Sequence, residues 1–385
     1  MKHLNLNNLI LVSILFVGVL FSFLSGYGSD EDTLALIGAY ESMLGGKNLM
    51  ASRFTPYPVA ELGIGFLSYQ FGSWAANLLT FSFIFLSAIF FYFGVDIKFK
   101  DKNIVLFLIL VLSNPIIYFD NLEPIDYSWA LAPLCIGLFF LKKKYYEIAI
   151  IFFGISIGAR IYFFLFLIPI IFLFSKNYNI SIQRKTIIFL GSFFIGGLFY
   201  LPFWFENGFS IHWLTAATPY GQGFFGVLAR YLYKIMMSFS FVTFILFIFI
   251  FFFSYKKLKK IKYSNSLIGI IILNLIIFLL IPAELSYLQP LLLAFYFLIF
   301  INLRKKLIYI IILFHFFSWI VEIQPLKISY KSENKCDNIE AISASFNPTI
   351  QKGRLFQYIN TRDKIKCWIK DPIRGEKILK GKALK

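Results

Sequence analysis

Charge is unusually scarce in this sequence. Asp, Glu, Lys and Arg together make up 15% of the 385 residues, whereas soluble domains carry about 25%. A soluble fold is excluded, because stretches such as 9–28, 74–95 and 236–254 have no charged residue over the roughly 20 residues a helix needs to cross a bilayer. Cysteine is scarcer still. Three cysteines are too few for a disulfide framework, and zinc-type Cys/His spacing is absent. No internal repeat or low-complexity linker breaks the chain. What is abundant is apolar: 59% of residues are hydrophobic and Phe occurs 50 times. That enrichment is a compositional background rather than a clue to activity.

The net charge of +17 would point to nucleic acid in a soluble chain, but its placement reports orientation instead. The apolar runs are separated at 96–103, 142–147, 176–185, 256–262 and 303–306 by segments rich in Lys and Arg, which the positive-inside rule assigns to the cytoplasm. No nucleic-acid partner is expected. Residues 148–175 form one long apolar run with basic residues at both ends, and a single pass would invert everything downstream. Gly154, Gly158 and Arg160 near its middle instead indicate two short helices meeting at an extracytoplasmic turn, which is tolerable where protein or water surrounds the backbone. The expectation is an all-α polytopic membrane protein of about eleven transmembrane helices. It is integral to the cytoplasmic (inner) membrane, with the N-terminus inside and the first run retained as helix one rather than cleaved. Residues 1–322 form the membrane domain and 323–385 a basic extracytoplasmic tail. The tail can rest on anionic lipid head groups or cover a site. Its compartment permits a Cys336–Cys367 disulfide; two unpaired thiols are the alternative. Cys135 lies inside a span as an ordinary buried thiol.

Acids do little to set topology, so their distribution calls for another cause. Asp96, Asp101 and Glu147 fall on the cytoplasmic side. Asp30, Glu31, Asp32, Glu41, Glu61, Asp120, Glu123, Asp126, Glu206, Glu284 and Glu322 fall on the other. Either that face is the active surface or its loops are ordinary solvated ones that avoid positive charge. The first outer loop carries most of the pattern: Gly26-Tyr27-Gly28-Ser29 is followed by Asp30-Glu31-Asp32-Thr33 and then by residues 34–44, whose spacing suits a helix lying along the membrane surface. Ser29 or Asp30 can cap that helix, but three consecutive acids exceed what a cap requires. The loop continues with Ser52-Arg53-Phe54-Thr55-Pro56-Tyr57-Pro58 and Glu61, where two prolines stiffen a segment bearing one cation and one anion.

In that order, the acidic motif after helix one, the Ser-Arg to Pro-Tyr-Pro to Glu loop, Glu123-Pro124-Ile125-Asp126-Tyr127-Ser128-Trp129, Gly158-Ala159-Arg160 and Glu284-Leu285-Ser286-Tyr287-Leu288-Gln289-Pro290 resemble the GT-C superfamily of membrane glycosyltransferases. These enzymes use polyprenyl-phosphate-linked sugars, and the protein mannosyltransferase and aminoarabinose transferase groups belong to them. The resemblance covers 1–322. It implies a GT-C arrangement of helices with a membrane-surface helix in the first outer loop, and an acid just after helix one as general base. Asp30 is placed first, Asp32 second and Glu31 third. The acidic element here reads Asp-Glu-Asp rather than a simple pair. Expected partners are a polyprenyl-phosphate sugar donor, a lipid, protein or glycan acceptor, and membrane lipids.

The chemistry explains why such residues are wanted. An acceptor nucleophile attacks an anomeric carbon while a phosphate departs, so a carboxylate takes or orients the proton and fixed positive charge or a metal meets the leaving group. Arg160, Arg53 and Arg230 are the cationic candidates. Arg160, in an apolar hairpin, must meet an anion, either a phosphate or a structural carboxylate. Arg53 contacts substrate or pairs with Glu61 as loop scaffolding, and Arg230 and Lys234 snorkel to the interface. Glu123 and Asp126 line a sugar cavity or join Asp30 around a divalent cation, the one possible cofactor. Glu284 and Tyr287 order the donor head group or cap a helix. His212 touches substrate or belongs to an interfacial aromatic cluster, and His315 belongs to helix packing. The competing functions are a transporter or flippase of lipid-linked sugars, which would concentrate charge near the midplane in two matching halves, and an O-antigen ligase or polymerase, which would be expected to rely on a larger late outer loop.

Overall fold

The computed structural model describes residues 6–24, 26–28, 31–45, 51–52, 56–95, 104–173, 179–207, 224–258, 264–280, 282, 284–331, 340–361, 377, 380 and 382–384. Its helices are α1 (Leu6–Leu24), α2 (Glu31–Leu44), α3 (Pro58–Phe71), α4 (Ser73–Gly94), α5 (Ile104–Ser113), α6 (Pro115–Asp120), α7 (Tyr127–Lys142) and α8 (Tyr146–Ala159). A 3₁₀ turn (Ile161–Phe166) and a π turn (Ile168–Leu173) follow, then α9 (Ile182–Asn207), α10 (Phe224–Ser238), α11 (Phe241–Leu258) and α12 (Ser264–Leu280). A second 3₁₀ turn (Leu285–Leu288) leads into α13 (Gln289–Asn302) and α14 (Lys305–Ile320), strands β1 (Val321–Lys331) and β2 (Glu340–Lys352), and α15 (Arg354–Thr361).

The chain is an integral membrane protein. At about 1.5 Å per residue α1 reaches about 28 Å, close to the roughly 30 Å hydrocarbon core. Only Ile14, Gly18 and Ser22 of α1 are buried; their spacing of four forms one narrow stripe. Leu9, Val12, Phe16, Leu20 and Phe23 stay exposed, as expected of a face that meets lipid. Gly18 lets α4 approach, since a Cβ there would lie 2.2 Å from Phe81 Cζ. The same device joins α8 to α9: a Cβ at Gly154 would meet Ile195 at 2.4 Å and one at Gly196 would meet Ile157 at 2.5 Å. Small residues matter in lipid because helix association there depends on close packing. The centre is occupied by α5 and α13, nearly every residue of which is buried.

The described residues do not establish the expected number of about eleven crossing helices. Four described helices, α1, α4, α9 and the stretch Leu285–Asn302, are long and apolar enough to cross alone, or five if α10 and α11, bent by 86°, count as one span. Other apolar stretches are shorter pieces, and Pro115, Arg160 and Ser240 mark breaks in hydrogen bonding that hydropathy alone does not register. Such breaks persist only where protein satisfies the freed groups. At the first, the Asn114 side chain caps α6 by accepting from Ile117 N at 2.9 Å, and its amide donates to Ser238 O at 2.9 Å and to Tyr296 Oη at 2.6 Å. Asn114 thus ties its own break to the α10–α11 break, where Ser240 adopts φ +59°.

The network continues into His315, which contacts Tyr296 Oη at 3.1 Å and Ser113 Oγ at 2.9 Å. Ser113 Oγ also donates to Leu110 O at 3.0 Å. One tautomer satisfies every member: His315 carries its proton on Nδ1 and donates to Ser113, while Nε2 accepts from Tyr296. The packing role expected of His315 is therefore joined by a hydrogen-bonding one, since a buried imidazole needs partners for both nitrogens.

The tail departs from the all-α expectation. β1 and β2 pair antiparallel, from Val321 opposite Lys352 to Lys331 opposite Glu340, with irregularities between Gln324 and Leu326 and between Ser329 and Tyr330. The first surrounds Pro325, which has no N–H for a ladder. Gly353 N–H returns to Ile320 O at 2.8 Å, and α15 then docks with Tyr358 against Phe21 and Phe119. Cys336 and Cys367 lie outside the described residues.

Candidate functional site

Arg160 sits where α8 stops. Its backbone is extended (φ −152°, ψ 114°) and its N–H closes α8 on Ser156 O at 3.0 Å, so the chain breaks at the residue where sequence places a turn. The guanidinium is fully buried. Its Nε bonds the Asp126 carboxylate, which is fully buried too. Nη1 donates to Tyr162 Oη at 2.9 Å. Aromatic faces complete the surroundings: the guanidinium carbon lies 3.5 Å from the Tyr127 ring centre, 4.8 Å from Tyr57 and from Tyr287, and 5.6 Å from Tyr162. Desolvated contacts of this kind are worth about 2 kcal/mol each at best. Nη2 is buried and has no hydrogen-bond partner among the described residues.

Asp126 occupies the position before α7 but makes no side-chain cap bond there; its charge goes to Arg160. That answers one of the two readings of Arg160 with a structural carboxylate, and it bears on a metal. A carboxylate bound to a buried guanidinium does not fit as a cation ligand, and no group of three or more His, Cys, Asp or Glu side chains suited to a metal occurs among the described residues. The Glu123, Asp126 and Asp30 set is not assembled by the residues described.

The neighbouring segment joins this centre to the loop that follows α1. Gly28, at φ +79°, packs so closely on Glu123 that a Cβ would lie 2.5 Å from its carboxyl carbon. Thr33 Oγ1 lies 3.5 Å from Pro124 O. Glu123 touches the turn that precedes the acids, and three residues later Asp126 touches Arg160. Asp32 is partly buried in α2 and Glu31 begins that helix; Asp30 lies outside the described residues, as do Arg53 and His212.

Glu61 is buried and accepts from Ser52 N–H at 2.9 Å, from Ser52 Oγ and from Tyr57 N–H at 3.2 Å. It holds the loop that carries Tyr57 over Arg160. Glu284 precedes its 3₁₀ turn without a side-chain cap bond and instead accepts from Tyr127 Oη. Tyr287 packs edge-on against Tyr127, 5.0 Å between centres, and stacks on Tyr162 at 5.8 Å. Ser286 Oγ donates to Asp120 at 2.6 Å. Arg230 belongs to a second, charged group. Lys234, one turn further along α10, lies within electrostatic range of Arg230, Glu284, Arg354 and Asp120, and Glu284 links that group to the tyrosines.

Tyr57, Tyr127 and Tyr162 escaped the sequence reading as site residues, although each stands inside or beside a motif that was singled out. Their signal was proximity to a lone buried cation, which needs aromatic faces when carboxylates are few.

The described elements make up a many-helix membrane fold with broken spans and a buried cation at one of the breaks. Two solved structures share it. The crystal structure of ArnT from Cupriavidus metallidurans bound to undecaprenyl phosphate matches with a TM-score of 0.57 at 13% identity, over 77% of this chain and 60% of that one. ArnT in the apo state matches at 0.56 and 11%, over 78% and 61%. The chain spans about 60% of the length of those structures, and at such identity the likeness is one of fold. No protein-family model and no curated protein sequence matches the chain.

Proposed function

We propose that the chain is an integral membrane glycosyltransferase that moves a sugar from a polyprenyl phosphate to an acceptor on the extracytoplasmic face, with inversion. The observation that carries the reading is the convergence just described. Residues from four separate motifs are linked here: Tyr57, Asp126 and Tyr287 surround Arg160, Glu284 is reached through Tyr127, and Glu123 packs on the Gly28 turn that precedes the acids. Ionisable groups inside a membrane protein are by default read as marking a substrate site, and here several are ordered around one guanidinium. That ArnT is bound to undecaprenyl phosphate in one of the similar structures fits a polyprenyl-linked donor.

In this reading the acceptor's nucleophile attacks the anomeric carbon from the face opposite the phosphate. The bond to the phosphate oxygen breaks and the polyprenyl phosphate leaves with its electron pair. The acceptor's proton passes to the acid after α1, Asp30 ahead of Asp32 and Glu31. Because Asp126 already meets the charge of Arg160, that side chain contributes a directed N–H from Nη2, and the charge of the phosphate falls to Arg230 with Lys234 beside it.

The test is transfer by the full chain in liposomes against a panel of polyprenyl-phosphate sugars, wild type beside Asp30→Asn. Loss of about 10²- to 10⁴-fold is expected for removal of a general base. Full transfer by Asp30→Asn at matched expression removes Asp30 from that role. Failure of the wild type with every donor overturns the enzyme reading in favour of transport.

A further inference from the structure

The Gly26–Gly28 turn is held from several sides. Asn77 of α4 donates to Gly26 O at 2.7 Å, and Gly28 rests on Glu123. The third contact comes from the far end of the sequence: Tyr27 Oη lies 2.8 Å from Lys382 O and 3.1 Å from Ser68 O. Leu384 packs on Tyr27 and Ile37, together with Leu34. Tyr27 is 1% exposed, whereas Ala383 and Leu384 are only partly covered and Lys382 is exposed. Residues 382–384 therefore lie on the surface of this corner and the core does not depend on them.

A phenol has one proton, and here two carbonyls compete for it. If Lys382 withdraws, the hydroxyl donates to Ser68 and no buried donor is orphaned. Burial, and after it the charge of Glu41, pushes the Tyr27 phenol above its ordinary value, so the donor keeps its proton. Withdrawal then costs little beyond the apolar contact of Leu384.

We infer that residues 382–384 form a detachable strap that, when docked on Tyr27 and Ile37, orders the turn leading into Asp30, Glu31 and Asp32 for transfer. Tyr27 and Leu384 are positioning residues; neither touches the reacting atoms. The strap faces both ends of the acidic segment at once, with Tyr27 before it and Leu34 and Ile37 after it. A contact on both flanks of the acidic segment constrains the chain that carries it. The kinetic part of this inference rests on the proposed transferase activity, and the structural part does not.

The experiment is hydrogen exchange on the full chain in nanodiscs, comparing wild type, Leu384→Asp, Leu384→Met and Ile350→Ser, the last an exposed residue of β2 in the same tail. Leu384→Asp is expected to speed exchange in peptides spanning 26–37 by about tenfold or more, as a locally opened segment does. Leu384→Met restores slow exchange and Ile350→Ser leaves it unchanged. In transfer assays Leu384→Asp lowers kcat by about tenfold with little change in donor KM, as misplacement of a catalytic group does. Exchange over 26–37 that stays at the wild-type rate in Leu384→Asp overturns the strap. Leu384→Ala is read by the same criterion should the aspartate variant fail to accumulate. Absence of transfer by the wild type counts against the enzyme reading alone, and exchange still decides the strap.

Discussion

Replacing Asp126 by Asn tests the centre most directly. The side chain keeps its shape and loses its charge, so the guanidinium of Arg160 is left in a fully buried place with a tyrosine hydroxyl and tyrosine rings for company. The rings remain at 3.5 to 5.6 Å, but at about 0.5 to 2 kcal/mol each they do not replace a carboxylate. Breaking a buried pair from one side costs about 3 to 5 kcal/mol, mostly because an uncompensated charge stays behind. Asp126→Asn should therefore lower the apparent melting temperature in detergent by several degrees and abolish transfer. The double variant Asp126→Asn, Arg160→Met removes the stranded charge and should recover most of the stability, yet none of the transfer. Melting curves from the two single variants and the double variant form a thermodynamic cycle. An Asp126→Asn protein that melts with the wild type would refute the reasoning, since the guanidinium would then not depend on this carboxylate.

Two smaller perturbations probe the surroundings. Gly28→Ala introduces a Cβ at φ +79° and against the Glu123 carboxyl; the left-handed backbone alone costs about 1 kcal/mol, so reduced transfer with a modest loss of thermal stability is expected, and wild-type kinetics would show that Glu123 yields freely. His315→Leu leaves the Tyr296 proton without its acceptor in an apolar interior, a loss of about 1 to 3 kcal/mol, which a thermal-shift measurement on the solubilised protein should register while Asn114→Ala, which releases both helix breaks, costs at least as much.

How much of this was legible beforehand depends on the range over which the physics acts. Arg160 was legible because a cation in an apolar run is locally anomalous, and the chain does break there. The contact between the first acidic loop and Glu123 was legible only as an order of motifs; Gly28, which makes the contact possible, reads in isolation as an ordinary turn glycine. Where the apolar runs break was not legible, because hydropathy registers a continuous apolar run and is blind to Asn114, Pro115 and Ser240, whose effect is on hydrogen bonding rather than on transfer energy. The β1–β2 hairpin was hidden by its charge and by Pro325. The partnership of Tyr27 with Lys382, 355 residues apart, has no local signature at all, since nothing in either neighbourhood names the other.

The seam between α1 and α4 carries an implication for how such a chain tolerates change. Along α1 the lipid side asks only for oiliness, and Leu, Ile, Phe or Val serve there with little distinction. Phe81 reaches its seat only because Gly18 offers it a bare backbone, and α8 and α9 meet at Gly154 and Gly196 on the same terms. The shape of the assembly is thus written in a few places where a side chain is missing, leaving most of the remaining letters free to drift.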